Sequence, residues 1–337
     1  MKSKSKKVIK MKPEYDGSND TFISTGSTLL DLAISGGRIR GGGIPAGIFV
    51  EVFGPSGAGK TVLLCEIAGA VQRLNGDIMF HDPEARLNKV FAEVFDLDTD
   101  GMDLSTPDTI TDVFQRVRKW TPPENKVNGV FADSLAALST NMEMDSDEGD
   151  KMGMRRAKEF SEELRKTCRI IPDRNILMVC SNQVREKIGA TKYEVKYTSP
   201  GGAAVGFYAS LRLRFMDAKK IKQEVKIAGK TVRRIIGVET NVEVFKSSVW
   251  KPYRSAPLII MFDYGVDDIR ANLQFIKDYT KNTTYTLGDS KLSVSMDDAI
   301  AIVENDPQHI KDLKNEVIDL WEYIETKFEK DRIPKQR

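Results

Sequence analysis

The strongest chemical signal in the sequence is a glycine-rich octapeptide that ends in a lysine and a threonine. It reads Gly54-Pro55-Ser56-Gly57-Ala58-Gly59-Lys60-Thr61. Glycines allow backbone N–H groups to curl inward around phosphate oxygens, Lys60 brings a positive charge to the β- and γ-phosphates, and the Thr61 hydroxyl can ligate Mg²⁺. Apolar periodicity predicts a buried strand at 48–53 and a helix at 62–74, on either side of the motif. The sequence therefore predicts a nucleoside triphosphate site.

Carboxylates follow two other predicted strands. Asp133 comes directly after an apolar run, at the position where a second ligand for Mg²⁺ is expected. Another apolar run leads into His81-Asp82-Pro83-Glu84, and the carboxyl ends of parallel strands meet at one crevice. Either Asp82 or Glu84 could orient and deprotonate a water molecule, whereas His81 is expected to be structural. The sequence contains no N-K-x-D segment for guanine, so ATP is the favoured nucleotide.

The segments around these motifs alternate between short apolar runs and helical periodicity. Strands are predicted at 48–53, 78–80, 130–132 and 176–180, and helices at 62–74, 88–95, 110–120 and 152–171. This alternation predicts an α/β fold with a mostly parallel, twisted sheet and helices on both faces. Strand-like alternation at 208–215 and 231–245, with a hairpin turn at Ala228-Gly229-Lys230, predicts added antiparallel strands.

Beyond about residue 267 the chain is predicted to be helical again. A stripe of apolar residues recurs there at spacings of three and four: Ile310, Leu313, Val317, Leu320, Trp321, Ile324 and Phe328. Such a stripe is more typical of a helix face packed on a core than of a partner-binding helix. We therefore expect a small helical region that packs through this face.

Composition and charge exclude several classes of protein. The 337 residues suit about two domains, and 40% hydrophobic with 30% charged residues is typical of a globular chain. No run approaches the roughly 20 apolar residues of a membrane span, and the first residues do not form a secretory signal. Three cysteines and two histidines favour neither disulfides nor a zinc site, so a cytoplasmic location is expected. The net charge of +2 neither favours nor excludes nucleic acid.

Taken together and in order, the motifs resemble those of the RecA family of strand-exchange recombinases. The resemblance covers most of the chain and includes the octapeptide above. The other matching segments are Ile23-Ser24-Thr25-Gly26-Ser27, Leu30-Asp31, Gly43-Ile44-Pro45-Ala46-Gly47, Asp82-Pro83-Glu84-Ala85, Asp133-Ser134-Leu135-Ala136-Ala137-Leu138, Ser181-Asn182-Gln183-Val184-Arg185, Gly201-Gly202-Ala203-Ala204 and Phe207-Tyr208-Ala209-Ser210-Leu211-Arg212-Leu213. The resemblance implies a RecA-like P-loop ATPase core with a small helical C-terminal domain.

The resemblance also implies roles for residues around the nucleotide. Glu84 would be the catalytic glutamate that activates water, and Asn88 and Phe91 would flank the adenine. Gln183 would sense the γ-phosphate, and Lys246 would reach the nucleotide of a neighbouring subunit. Lys60, Thr61 and Asp133 would hold ATP and Mg²⁺.

Two segments match the DNA-binding loops of the family. The first, 141–156, includes Met152, Gly153, Arg155 and Arg156, and its five acidic residues make it the less favourable of the two for phosphate. The second, 185–202, carries charge, aromatic rings and glycines that would contact phosphates, stack on bases and permit movement. Its members are Arg185, Lys187, Lys192, Tyr193, Lys196, Tyr197, Gly201 and Gly202. The alternative is a plain solvent-exposed loop.

Three features depart from the family pattern. Only about two dozen Lys-rich residues precede the first match, where the family places a segment that docks on the adjacent subunit. Ser248 stands in place of a second lysine that reaches across the interface, and Lys251 or Arg254 could substitute. Pro83 stands beside Glu84 in place of alanine.

We expect three regions and one leading function. The regions are a Lys-rich segment at 1–22, a RecA-like ATPase and DNA-binding core at 23–265, and a small α-rich domain at 266–337. The expected function is that of an ATP-dependent recombinase that binds single- and double-stranded DNA as a helical filament, with no membrane partner. The alternatives are a ring-forming RecA-core helicase or motor, and a recombination mediator that exchanges no strands.

Overall fold

The computed structural model of the chain describes residues 21–124, 126–141, 152–183, 185–186, 197–198 and 203–329. The strands are β1 (Phe22–Ile23), β2 (Ile44–Pro45), β3 (Phe49–Gly54), β4 (Ile78–His81), β5 (Asp103–Ser105), β6 (Asn128–Ala132), β7 (Ile176–Gln183), β8 (Arg185–Glu186), β9 (Tyr197–Thr198), β10 (Leu211–Phe215), β11 (Lys219–Ile227), β12 (Lys230–Ser247), β13 (Ser255–Met261), β14 (Gly265–Val266), β15 (Tyr285–Leu287) and β16 (Ser290–Ser293). The helices are α1 (Thr28–Ser35), α2 (Lys60–Arg73), α3 (Lys89–Glu93), α4 (Ile110–Lys119), α5 (Met152–Thr167), α6 (Ile170–Asp173), α7 (Ala203–Tyr208), α8 (Asp268–Tyr279), α9 (Met296–Glu304) and α10 (Pro307–Thr326).

The central sheet determines which strand ends are neighbours. Its strand order is β14-β13-β12-β10-β3-β7-β6-β4-β5, and β11 pairs with β12 beside this path. The strands from β10 to β5 are parallel, whereas β12, β13 and β14 run antiparallel to their neighbours. Strands β3 and β7 are almost wholly buried because helices cover both faces of the sheet. The predicted α/β class with added antiparallel strands is confirmed.

Two apolar layers hold the helices on the sheet. On one face, Leu63 and Ile67 of α2 join a core that includes Val52 of β3. On the other face, the rings of Phe114 in α4 and Phe160 in α5 meet edge to face, with centroids 6.4 Å apart. These layers fix the positions of the helices that follow β3, β5 and β6.

Strands β11 and β12 form a ribbon that extends from the sheet. They pair from Lys219 opposite Glu239 to Ile227 opposite Lys230. The two residues between them, Ala228 and Gly229, both have positive φ (49° and 78°), as a tight two-residue hairpin turn requires. The predicted hairpin is confirmed, with Lys230 as the first residue of the second strand.

The C-terminal region contains a hairpin as well as the predicted helices. Strands β15 and β16 pair antiparallel between α8 and α9, and sequence periodicity gave no sign of them. Helix α10 begins at Pro307 after Asp306, whose side chain accepts a hydrogen bond from the Gln308 N–H at 2.8 Å. It packs on the core: the rings of Trp321 and Trp250 are 5.7 Å apart.

The apolar stripe of α10 is shorter than the sequence predicts. Leu313 and Val317 are fully buried, and Ile318, outside the predicted stripe, is buried with them. Ile310 is 40% exposed at one end, and Phe328 is 76% exposed beyond the end of the helix. The prediction of a core face is therefore wrong for these two residues, because the ends of the stripe extend past the apolar core that covers its middle. None of the helices in the described residues is long and apolar enough to span a membrane.

Leu313 and Ile310 provide a matched test of this packing. Leu313→Ala is expected to lower the free energy of unfolding by about 2–5 kcal/mol, because it leaves a cavity in the core. Ile310→Ala is expected to change it by less than about 0.5 kcal/mol, because its side chain is already exposed to water. Urea unfolding of both variants measures the difference. Equal losses would contradict the packing face described here.

Candidate nucleotide site and nucleic-acid interface

The glycine-rich octapeptide forms the turn between β3 and α2. Gly59, the N-cap of α2, has a φ of 100° and offers no side-chain cap to the first helical N–H groups. A Cβ at Gly59 would lie 2.2 Å from Cδ1 of Ile260, and the positive φ strains any other residue, so this position favours glycine. Gly57 also has positive φ (74°), and a Cβ there would meet no atom within 4 Å. The loop is thus an open cradle of backbone N–H groups at a helix N-terminus, which favours phosphate.

Lys60 lies folded back over this loop. Its Nζ donates to the carbonyl oxygens of Gly54 (3.1 Å) and Pro55 (2.6 Å). Burial lowers the pKa of Lys60, and the charges of Asp133 and Glu84 act in the opposite direction. An ammonium group held by two neutral carbonyls and flanked by acids is well placed to exchange those contacts for phosphate oxygens.

Thr61 and Asp133 are brought together as the sequence predicts. The Thr61 Oγ1 donates to Oδ2 of Asp133 at 2.5 Å, and the Ser181 hydroxyl donates to Oδ1 of the same carboxylate. Among the described residues, no three His, Cys, Asp or Glu side chains form a metal-binding group. One carboxylate beside one hydroxyl is a donor set that fits Mg²⁺, which keeps several waters and takes other ligands from substrate phosphates. Sequence reasoning missed Ser181, although it lies on the strand next to the one that Asp133 follows.

The two acids after β4 differ in how open they are. Asp82 is buried, and its Oδ2 accepts a hydrogen bond from the Leu87 N–H at 2.7 Å, so it shapes the turn. The Glu84 side chain is 24% exposed and is paired with Arg86 at 3.1 Å. Glu84 is therefore the more accessible of the two carboxylates, with Arg86 as a neighbour that sequence reasoning overlooked.

His81 and Asn88 have structural contacts in this region. His81 is fully buried, with Nδ1 2.8 Å from the Ser105 hydroxyl, and burial, aided by the charge of Arg116, lowers its pKa to about 4. Asn88 is the N-cap of α3 and accepts a hydrogen bond from the Phe91 N–H at 3.0 Å. The Phe91 ring is half-buried against Phe95, 4.9 Å away. The adenine contacts expected of Asn88 and Phe91 stay a prediction.

Gln183 and Lys246 lie on different strands of the same sheet. Gln183 ends β7 in register with Gly54, which places it beside the first residue of the phosphate loop. Lys246, on β12, donates from Nζ to the carbonyl oxygens of Gly206 (3.0 Å) and Phe207 (2.9 Å) at the end of α7. Its expected contact with the nucleotide of a neighbouring subunit stays a prediction.

Comparison with known proteins decides the family. The family described as the RecA N-terminal domain matches residues 4–267. Protein RecA of Acholeplasma laidlawii is 30% identical over 314 residues, which cover 90% of this chain and 88% of that protein. Protein RecA of Deinococcus radiodurans is 30% identical over 302 residues (88% and 79%), and Protein RecA of Thermus thermophilus is 36% identical over 247 residues (73% and 68%). This chain belongs to the RecA family.

For a RecA-family chain, the segments predicted to contact DNA are of particular interest. In the second segment, the backbone of Arg185–Glu186 pairs antiparallel with Tyr197–Thr198. In the first, Met152 and Gly153 begin α5, and Arg155 lies in its first turns. The remaining predicted contacts lie outside the described residues: Lys187, Lys192, Tyr193, Lys196, Gly201 and Gly202. Their roles stay predictions.

Arg156 has a contact that charge alone did not indicate. Its guanidinium donates to the carbonyl oxygens of Ala136 (2.9 Å) and Leu138, in the segment that follows Asp133. In this conformation Arg156 therefore supports that segment rather than extending towards solvent. Its expected DNA contact stays a prediction.

The β11–β12 ribbon carries a basic surface that sequence reasoning missed. Glu224 is the only acidic residue between 219 and 237, and it pairs with Arg233. The basic residues of the ribbon are all exposed: Lys219, Lys220, Lys222, Lys226, Lys230, Arg233 and Arg234. The signal was present as four lysines within eight residues, at 219–226. A projecting ribbon with this charge favours phosphate-rich partners.

The low pKa of His81 predicts how stability depends on pH. His81 binds a proton near pH 6.5 in the unfolded chain but only near pH 4 in the folded chain. Its contribution to the free energy of unfolding is therefore fully present above pH 6.5 and is lost as the pH falls towards 4. Relative to His81→Gln, the native chain should lose on the order of 3 kcal/mol of unfolding free energy over that range. Urea unfolding at several pH values measures this. Asp31, whose burial raises its pKa to about 6, titrates in both proteins and cancels in the difference. Parallel pH profiles would contradict the assignment of a neutral buried His81.

Proposed function

We propose that this chain is an ATP-dependent DNA recombinase. In this proposal the ATP-bound form assembles on single-stranded DNA, pairs it with a homologous duplex, and releases DNA after hydrolysis. The observation that carries the proposal is the position of Gln183. It lies in register with Gly54 at the phosphate loop and directly precedes the segment predicted to grip DNA. A side chain in that position can bias an order–disorder transition of the segment that follows it.

The nucleotide half of the mechanism follows from the residues at the loop. Lys60 would leave the Gly54 and Pro55 carbonyls to contact a phosphate, while the N–H groups at the start of α2 bind the others. Thr61 and Asp133 would hold Mg²⁺, which when bound supplies positive charge to the phosphate oxygens. Glu84, the open carboxylate, would orient the attacking water and accept its proton.

The DNA half rests on charge. The second segment follows Gln183 in the sequence and contains basic and aromatic residues, which suit phosphates and unstacked bases. The β11–β12 ribbon adds a second basic surface, because all seven of its basic side chains are exposed. We propose that both surfaces contribute to binding of single- and double-stranded DNA.

One observation favours a second candidate, a recombination mediator that binds ATP and a partner without exchanging strands. Ser248 lacks the charge of the family's second interface lysine. Arg254 is paired with Glu325 (Nε–Oε1 3.1 Å), and its guanidinium lies 4.1 Å from the Trp250 ring centroid, so it is committed elsewhere. The Lys251 ammonium, 5.3 Å from the same ring, is the remaining substitute. Joint-molecule formation separates the candidates, because a mediator alone yields no product.

Electron microscopy with single-stranded DNA and a non-hydrolysable ATP analogue tests assembly: helical filaments support the recombinase, and closed rings support a helicase or motor.

ATP turnover tests the proposed catalytic residues. Single-stranded DNA is expected to stimulate ATP hydrolysis by the native chain, and Lys60→Ala is expected to abolish it. Glu84→Gln should reduce turnover by about 10²–10⁴-fold while ATP still binds, because it removes only the proton acceptor. Glu93→Gln, an exposed acid on α3, is the matched control and should stay within about twofold. ATP hydrolysis that persists in Lys60→Ala would show that the active site lies elsewhere. A native rate of ATP hydrolysis that does not change with DNA would refute the recombinase proposal.

The salt dependence of duplex binding tests the ribbon. Replacing Lys222 and Lys226 with glutamine should weaken binding to duplexes of any sequence. It should also reduce the slope of log affinity against log salt concentration by about 1–2, because a protein with fewer phosphate contacts releases fewer counterions when it binds. Glutamine at Lys89 and Lys119, exposed lysines of α3 and α4, provides the control with equal loss of charge. Fluorescence anisotropy at several salt concentrations measures both slopes. Equal slopes in the two double variants would show that the ribbon does not contact DNA.

A further inference from the structure

A carboxylate without any exposed surface lies in the middle of the sheet, on β3. Glu51 is bound by Arg212 of β10, whose Nε donates at 2.6 Å, and by Asn182 of β7, whose Nδ2 donates at 3.0 Å. The two donors use different carboxylate oxygens, Oε2 and Oε1. A buried charge needs such partners. The pairing therefore joins the strands on both sides of β3, and one of its members immediately precedes Gln183.

The other side of Arg212 supports helix α7. Its guanidinium lies 4.5 Å from the Phe53 ring centroid and 5.3 Å from that of Phe245, which limits its orientation. A Cβ at Gly206 would lie only 2.8 Å from Cζ of Arg212, so the helix backbone rests directly against the guanidinium. Any movement of Arg212 must therefore also move the backbone of α7.

Lys246 completes the set of contacts around α7. Its ammonium donates to the Gly206 and Phe207 carbonyl oxygens, which holds the C-terminal end of the helix. Burial lowers the pKa of Lys246, the charge of Arg212 lowers it further, and Glu51 opposes both effects. The ammonium cannot hold these carbonyls and also reach a nucleotide on a neighbouring subunit. Its position therefore depends on how α7 and Arg212 are placed.

These contacts enclose both ends of the second predicted DNA segment. Asn182 lies just before Gln183 at its start, and α7 begins directly after Gly202 at its end. Both ends are thus linked to the carboxylate of Glu51, one through Asn182 and the other through Arg212. A second ion pair, between Arg214 of β10 and Glu243 of β12, lies two residues further along β10. It serves as a comparison.

We propose that Glu51 and Arg212 are positioning residues that couple Gln183 to α7 and Lys246. Contact of the nucleotide with Gln183, at the start of the DNA segment, would then determine the position of α7, at the end of that segment. The inference rests on the proposed function. It assigns the coupling to an ion pair that is not among the residues proposed to contact nucleotide or DNA. If Glu51 and Arg212 only stabilised the sheet, their loss would lower stability and leave the effect of nucleotide on DNA binding intact.

The test compares the affinity of the full-length chain for a labelled oligothymidylate in the presence of ADP and of a non-hydrolysable ATP analogue. The native chain is expected to bind about tenfold more tightly with the analogue. Arg212→Lys should bring this ratio to within about twofold, because lysine cannot contact Glu51 and support α7 with one planar group. Affinity for the analogue itself should stay within about twofold. Arg214→Lys is the matched control and should keep the native ratio.

A second variant separates positioning from stability. Gly206→Ala keeps both charges of the ion pair but places a methyl group 2.8 Å from Cζ of Arg212, so the guanidinium must shift, and alanine is well tolerated within a helix. We expect the ratio to fall as in Arg212→Lys while the chain stays folded, with a loss of thermal stability no greater than that of Arg214→Lys. A native ratio in Gly206→Ala, or in a folded Arg212→Lys, would overturn the inference. A ratio of one in the native chain would instead refute the proposed recombinase function, which keeps the two failures distinct.

Discussion

The burial of one carboxylate, Glu51, constrains the centre of this molecule. A lone carboxylate without water contact is strongly unfavourable, so β3 must keep Arg212 and Asn182 on either side of it. Removing one partner of such a buried pair typically costs about 3–5 kcal/mol, which makes β7, β3 and β10 behave as one unit. The phosphate loop begins three residues after Glu51, at Gly54. The phosphate loop therefore follows a strand whose position relative to β7 and β10 is fixed by the contacts of Glu51.

That frame explains why residues from distant parts of the chain meet at one edge. Strands β3, β7, β6 and β4 are consecutive neighbours in the sheet and run parallel, so their carboxyl ends converge. The loop glycines, Gln183, Asp133 and Glu84 each follow or end one of these strands. Contacts such as Thr61 with Asp133 follow from this convergence. The antiparallel strands beyond β10 carry Lys246 and the basic ribbon, so the proposed nucleotide site and the proposed DNA surfaces belong to one sheet.

The sequence predicted the features that are local and missed those that depend on distant contacts. The phosphate loop and the parallel core follow from glycine spacing and apolar runs, both confined to short windows. Strand β13 contains Pro257 and shows no clear alternation in sequence, so its pairing with β12 and β14 defines it. Arg156 suggested a DNA contact by charge, yet two backbone carbonyls bind its guanidinium. Glu51 and Arg212 are 161 residues apart, and no spacing rule relates residues at such a separation.

The central claim is that the state of the nucleotide is transmitted through the sheet to α7. Amide hydrogen exchange of residues 203–208 in the full-length chain, without DNA, tests this most directly. Exchange rates that differ by about tenfold between the ADP-bound and ATP-analogue-bound chain would agree with the claim, since a change in the Lys246 contacts must alter the protection of this helix. Identical rates with the two nucleotides would contradict it, because the helix would then be unaffected by events at the phosphate loop.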